Sequence, residues 1–151
     1  MERLTQKLTK AGAAGIDTPV FIYHLEAHPH YAPVTQTIFS SLEARKWQGI
    51  TSTIMLMEIN VHPWQAGRED IARKYEALLV NFPNLDIVDI DRDIARLAAQ
   101  LRARFNVRPA DALQVAASLS HGAKLFLTND HCLAALKTMI EIILLDDFIL
   151  E

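Results

Sequence analysis

One cysteine and five glycines in 151 residues leave this chain few covalent or conformational devices. A lone cysteine, Cys132, excludes an intramolecular disulfide and a cysteine-built zinc cage, and it fits a reducing compartment. The glycines form no Gly-x-Gly-x-x-Gly turn for a dinucleotide, and no Ser or Cys occupies a Gly-x-Ser-x-Gly elbow. No apolar run approaches the roughly 18 residues of a membrane span. The N-terminus, Met1 to Lys10, is polar and mixed in charge. The expectation is a cytoplasmic protein without membrane contact. Basic excess is missing too: 18 acidic against 15 basic residues give a net charge of −3, so no global nucleic-acid footprint exists. Repeats, low-complexity tracts and Gly/Pro/Ser-rich linkers are absent, which predicts a single domain over 1–151. A chain of this size can bury roughly 68–70% of its unfolded surface.

What the chain does have is carboxylates in awkward places. Asp17 follows Ala13-Ala-Gly-Ile16, and Glu58 lies inside Ile54-Met-Leu-Met-Glu-Ile-Asn-Val61. Asp111 opens an Ala-rich stretch, and Asp130 follows Leu125-Phe-Leu-Thr-Asn129. Each adjoins an apolar run expected to be buried, where an ionised carboxylate is expensive unless paired, hydrogen-bonded or metal-bound. No Lys or Arg lies within four residues of Asp17 or Glu58. A hard divalent cation held by oxygen ligands would neutralise such a set and points to phosphodiester chemistry.

Periodicity supplies the frame. Ile71, Tyr75, Leu78 and Leu79 fall on one helical face, as do Ile94, Leu97, Ala98, Leu101 and Phe105 after the capping candidate Asp91. Short runs around Ala13–Ile16, Gly49–Ser52, Leu85–Val88, Lys124–Leu127 and Ile140–Leu144 read as strands. Alternation of this kind predicts an α/β domain with a mostly parallel sheet. Sites in such sheets form at the carboxyl ends of strands, where Asp17 and Asp130 fall. Glu58 shares a helical face with Ile54, Met57 and Val61, which is expected to be the buried stripe. Asp111 follows Arg108-Pro109, a helix start, which places it near the positive end of a helix dipole.

Other residues carry weaker signals. Arg102, Arg104 and Arg108 precede Asp111, and Lys7 and Lys10 precede Asp17; they read either as solvated charges or as phosphate contacts at a cleft. His28-Pro-His30, His62, His121 and His131 read as turn, helix-end or surface residues. Trp47 and Trp64 read as packing or subunit contacts rather than base-stacking platforms. Asp86, Asp89, Asp146 and Asp147 read as solvated charges flanking strands. A haloacid-dehalogenase-type phosphatase needs a second Asp two positions after the first, and Pro19 stands there. A response-regulator receiver needs an acidic pair by the first strand and a late Lys, missing in the expected places.

Taken in order, Gly15-Ile-Asp17-Thr-Pro-Val-Phe-Ile-Tyr23, the Thr51–Val61 run carrying Glu58, Asp111-Ala-Leu-Gln-Val-Ala-Ala117 and Phe126-Leu-Thr-Asn-Asp130 resemble the PIN domain family, and within it the small VapC-type toxin ribonucleases. The resemblance covers about 13–145, with 1–12 as an N-terminal extension. It implies an α/β/α sandwich and an acidic cleft that binds Mg²⁺ or Mn²⁺ and cleaves single-stranded or loop RNA. Asp17, Glu58, Asp111 and Asp130 become the metal-site acids, with Asp17 and Asp111 as principal ligands. Thr128 and Asn129 would orient the last acid or a water, with Thr18 and Ser52 as secondary polar contacts. The resemblance also implies a cognate antitoxin and a homodimer. Pro19 departs from the family's polar residue and offers no donor there. That departure leaves open a non-catalytic PIN module that binds RNA or protein.

Overall fold

The computed structural model describes residues 1–149. Strands β1 (Ala13–Ile16), β2 (Gln48–Ser52), β3 (Leu85–Val88), β4 (Leu125–Thr128) and β5 (Glu141–Leu144) pair in parallel throughout, in the order β3-β2-β1-β4-β5. The chain winds outward from β1 through β2 to β3, then returns to the other side of β1 for β4 and β5. The reversal makes the carboxyl ends of β1 and β4 the switch point, where a crevice opens above the sheet.

Among the described residues seven α-helices cover the sheet: α1 (Glu2–Ala11), α2 (Thr18–Leu25), α3 (Ala32–Glu43), α4 (Thr53–Gln65), α5 (Glu69–Val80), α6 (Arg92–Phe105) and α7 (Pro109–Ser120). Side chains alternate across each strand, so two cores form. Ile16, Leu125 and Leu127 pack on one face against Leu4 and Leu8 of α1, Val20 of α2 and Ile38 of α3. Ile50 and Phe126 pack on the other against Ile94 and Leu101 of α6 and Val115 of α7. The result is a three-layer α/β/α sandwich. All four residues of β4 are buried, as suits a parallel strand covered on both faces. No helix among the described residues is long and apolar enough to cross a membrane.

The α6 stripe is as expected, but two helical faces differ from the sequence reading. On α4 the buried residues are Met55, Ile59 and Pro63, whereas Met57 and Val61 are about half exposed. Apolar residues occupy every side of this helix, so period alone does not choose its inward face. The phase is set instead by Ser52, whose side chain accepts from the Ile54 amide as N-cap. On α5, Ala72 and Leu79 are buried and Leu78 points outward.

Gly15 seats α7 on the sheet. A Cβ added there would stand 2.2 Å from Ser118 Oγ and 2.6 Å from the Phe126 ring, so helix and strand meet through a bare backbone. Gly15→Ala is expected to cost about 1–3 kcal/mol through overpacking. At this chain size that lowers the melting temperature by about 2–4 °C per kcal/mol. An unchanged melting curve would show that α7 does not rest on this position.

Candidate active site

Asp17 stands at the switch point as N-cap of α2, one residue past β1. Its side chain is nearly inaccessible, at 4% exposure. One carboxylate oxygen accepts from the Thr18 amide at 2.9 Å and the other from the Thr128 hydroxyl at 2.7 Å, across to β4. Both donors are neutral. Burial pushes the carboxyl up to about 7 from 3.8; the Thr128 bond opposes this, Asp111 adds to it, the Thr18 amide opposes it and Glu58 adds again. Asp111 and Glu58 therefore face the same space. Pro19 occupies the first turn of α2, where its missing N–H leaves no helix acceptor unserved.

Glu58 reaches the site from α4 by accepting the Thr18 hydroxyl at 2.7 Å. Thr18 in turn accepts from Gln114 Nε2 at 3.3 Å, and Gln114 Oε1 accepts from the Ser52 hydroxyl at 2.6 Å. This line of bonds joins α2, α4 and α7 beneath the cleft, and both ends of the Gln114 amide are used. The sequence reading missed Gln114. Its signal was a lone polar amide three residues after Asp111 on an otherwise apolar helix.

Asp111 lies in the first turn of α7 and Asp130 caps the 3-10 helix His131–Leu136 by accepting the Cys132 amide. One guanidinium spans them. Arg108 donates from Nε to Asp111 and from Nη2 to Asp130, both at 3.0 Å. These groups line a cavity of about 400 Å³ together with Asn106, Val107 and Cys132. Among the described residues no three His, Cys, Asp or Glu side chains converge into a ready-made cation cage.

The remaining candidates divide. Thr128 supports two acids, since its hydroxyl donates to Asp17 and accepts from the Asp130 amide at 3.1 Å. Asn129 turns away from the acids, donating to Tyr31 OH at 2.8 Å and accepting from the Asp146 amide. Asp146 is no solvated bystander: Tyr31 OH donates to it at 2.9 Å and His131 Nε2 lies 2.8 Å away. The His131 ring holds its carboxyl below the usual range, and Tyr31 and Asn129 reinforce this. His28, His30, Tyr23 and Tyr31 form a ring cluster at the same edge, in keeping with a turn role for the two histidines. Trp47 is buried and donates to Ser41 Oγ, a packing residue, while Trp64 is exposed.

Of the basic residues proposed as cleft contacts, Arg108 alone pairs with the acids. Arg102 donates to the Val107 carbonyl and Arg104 lies over the Phe105 ring. Lys7 pairs with Glu141 at the amino end of β5, the opposite end of the strands from Asp17.

No sequence among curated proteins matches this chain. Its fold is similar to a toxin-antitoxin complex from Klebsiella pneumoniae (TM-score 0.61, 22% identity, covering 87% of this chain and 97% of that one). It is also similar to VapBC2 from Rickettsia felis bound to a promoter DNA fragment (0.66, 16%, 87% and 96%). VapBC-5 from Mycobacterium tuberculosis, of the VapBC family of toxin-antitoxin systems, matches at 0.56 and 25% identity, covering 88% and 97%. The PIN domain family model matches residues 15–138, most of the length and a span that contains Asp17, Glu58, Asp111 and Asp130, and the chain belongs to that family.

Proposed function

We propose that this protein is a divalent-metal-dependent endoribonuclease acting on unpaired RNA, and the toxin of a toxin-antitoxin pair. The observation that carries the reading is Asp17, a buried carboxylate at the switch point whose bonds come only from neutral donors and which faces two further acids. Such a group lacks a cation. Oxygen donors of this kind suit Mg²⁺ or Mn²⁺. Asp17 and Asp111 would be the principal ligands, with Glu58 and Asp130 completing the site. The chemistry a bound ion supplies is activation of an attacking water and stabilisation of charge at the scissile phosphate.

The chain's own residues fix where this happens. An ionised carboxylate offers about four acceptor positions, and each Asp17 oxygen uses one. The free positions stay aimed by the Thr18 amide and the Thr128 hydroxyl. Thr18 and Gln114 hold Glu58 against rotation, and Ser52 anchors Gln114.

A protein partner fits the surface beside the cleft. Met57, Val61 and Trp64 form an exposed apolar stripe on α4, and a cavity of about 300 Å³ lined by Leu25, Ile59 and Tyr75 reaches Glu58. An antitoxin segment seated there would cover the acids, and the same stripe suits a homodimer.

Three outcomes follow. Purified protein should cleave unstructured RNA in Mn²⁺ and not in EDTA, with Asp17→Asn and Asp111→Asn reduced to the EDTA background. Thr128→Ala, which keeps every proposed ligand but loses the hydroxyl's bonds to Asp17 and the Asp130 amide, should fall by about 10–100-fold. Wild-type cleavage by either Asn variant would remove those acids from the site, and no cleavage by wild type would bring forward the binding-module reading.

Stability tests the electrostatics without RNA. Folded Asp17 titrates near 7 and unfolded Asp near 3.8, so between these values the folded chain holds a proton that the unfolded chain has released. Stability from this group is present below the unfolded value and lost as pH rises through 7. Lowering pH from 8 to 5.5 in EDTA should therefore stabilise wild type by about 2 kcal/mol relative to Asp17→Asn, read from urea midpoints. Parallel pH profiles in the two proteins would contradict the burial cost. Mn²⁺ should raise the wild-type melting temperature by mass action and raise that of Asp17→Asn less.

A further inference from the structure

We propose that Arg108 is a displaceable cation that holds Asp111 and Asp130 while no metal is bound and grips a substrate phosphate once a divalent ion takes its place. The inference rests on the metal-site reading above and adds a substrate contact to it. Arg108 bridges two acids from different elements with one guanidinium, at 3.0 Å to each. The carboxylates are largely enclosed, at 14% and 24% exposure, but the arginine side chain is 77% exposed. Its pairing is therefore solvent-screened, and its departure costs little. A doubly charged ion on the same oxygens would outcompete it and repel it.

The released side chain has a use. Asp111 and Asp130 line a common cavity in a chain of net charge −3, so an approaching polyanion meets repulsion unless a cation stands at the mouth. Arg108 lines the cavity of about 400 Å³ that it shares with both acids, while Arg102 and Arg104 are engaged elsewhere. The guanidinium fork that fits carboxylate oxygens fits phosphate oxygens equally well. It already sits at the N-cap of α7 and accepts no side-chain capping duty there.

The test compares wild type with Arg108→Ala and Arg108→Lys in two measurements that move oppositely. In calorimetry on EDTA-stripped, dialysed protein, Arg108→Ala should bind Mn²⁺ up to about tenfold more tightly, because an internal competitor is gone. In fluorescence anisotropy with a 2′-O-methyl oligoribonucleotide, checked to stay intact on a gel after titration, and saturating Mn²⁺, it should bind more weakly. The slope of log affinity against log salt should fall by about 0.7, one phosphate contact on a single strand. Arg108→Lys should recover the salt slope, since one ammonium serves a phosphate, yet keep part of the raised Mn²⁺ affinity, since it does not span both acids. Joint weakening of Mn²⁺ and RNA binding with a lowered melting temperature would make Arg108 a structural brace and overturn the proposal. Unchanged RNA affinity and salt slope would overturn it as well. Should wild type itself fail to bind Mn²⁺, the metal-site reading fails instead, and the two failures are thus distinguishable.

Discussion

The bond from the Thr128 hydroxyl to Asp17 is the constraint on which the cleft depends. It crosses the switch point, tying the end of β4 to the residue that leaves β1, and it does so between buried partners. Leaving either partner unsatisfied there would cost about 1–3 kcal/mol, so the bond pins two loops that would otherwise diverge above the sheet. The hydroxyl also accepts the Asp130 amide, so a single side chain positions two acids. Register makes this possible: Ile16 stands opposite Leu127 in the parallel pair, which leaves Asp17 and Thr128 level at the carboxyl edge.

A second constraint lies one layer below. Ser52, Gln114, Thr18 and Glu58 form a hydrogen-bonded line through an interior that is otherwise apolar. Satisfied polar networks in low-dielectric surroundings specify one arrangement and penalise others. Here the line fixes α4 relative to α7 and α2, the three helices that hold Glu58, Asp111 and Asp17. Gly15 adds close approach to the sheet of α7, the helix that carries Gln114. Packing and polar positioning are thus the same device seen from two sides.

These constraints explain what the sequence could and could not show. Strands were legible because buried parallel strands are short apolar runs with punctuated ends, and the Ala13–Ile16 and Leu85–Val88 readings coincide with β1 and β3. Asp17 and Asp130 stood out because each follows such a run, and Glu58 and Asp111 because each stands in an apolar helical stretch. Helix faces were less so: the Met55, Ile59 and Pro63 face of α4 looks no more apolar than the Met57 and Val61 face until the Ser52 cap sets the phase. Gln114 and the Arg108 bridge were hidden because they are facts about pairs distant in sequence, 62 residues apart for Ser52 and Gln114 and 22 for Arg108 and Asp130.

Asp146 shows why an acid's neighbours, rather than its position, decide its role. Both Asp17 and Asp146 follow strands and both accept from neighbouring groups. Asp146 receives a histidine ring, a tyrosine hydroxyl and an asparagine amide, and its carboxyl is held low. Its carboxylate is already hydrogen-bonded within the chain, and what it does is fasten Tyr31 and Asn129 at the sheet edge. Asp17 is buried and receives only an amide and a hydroxyl, so burial, with Asp111 and Glu58 adding to it, drives its carboxyl up. A carboxylate left in that state stores unfavourable charge at neutral pH, and a cation brought to it recovers that energy as binding. The asymmetry between these two acids is set by burial and by the partners each receives: Asp146 fastens the scaffold, and Asp17 is the carboxylate that the proposed cation site would use.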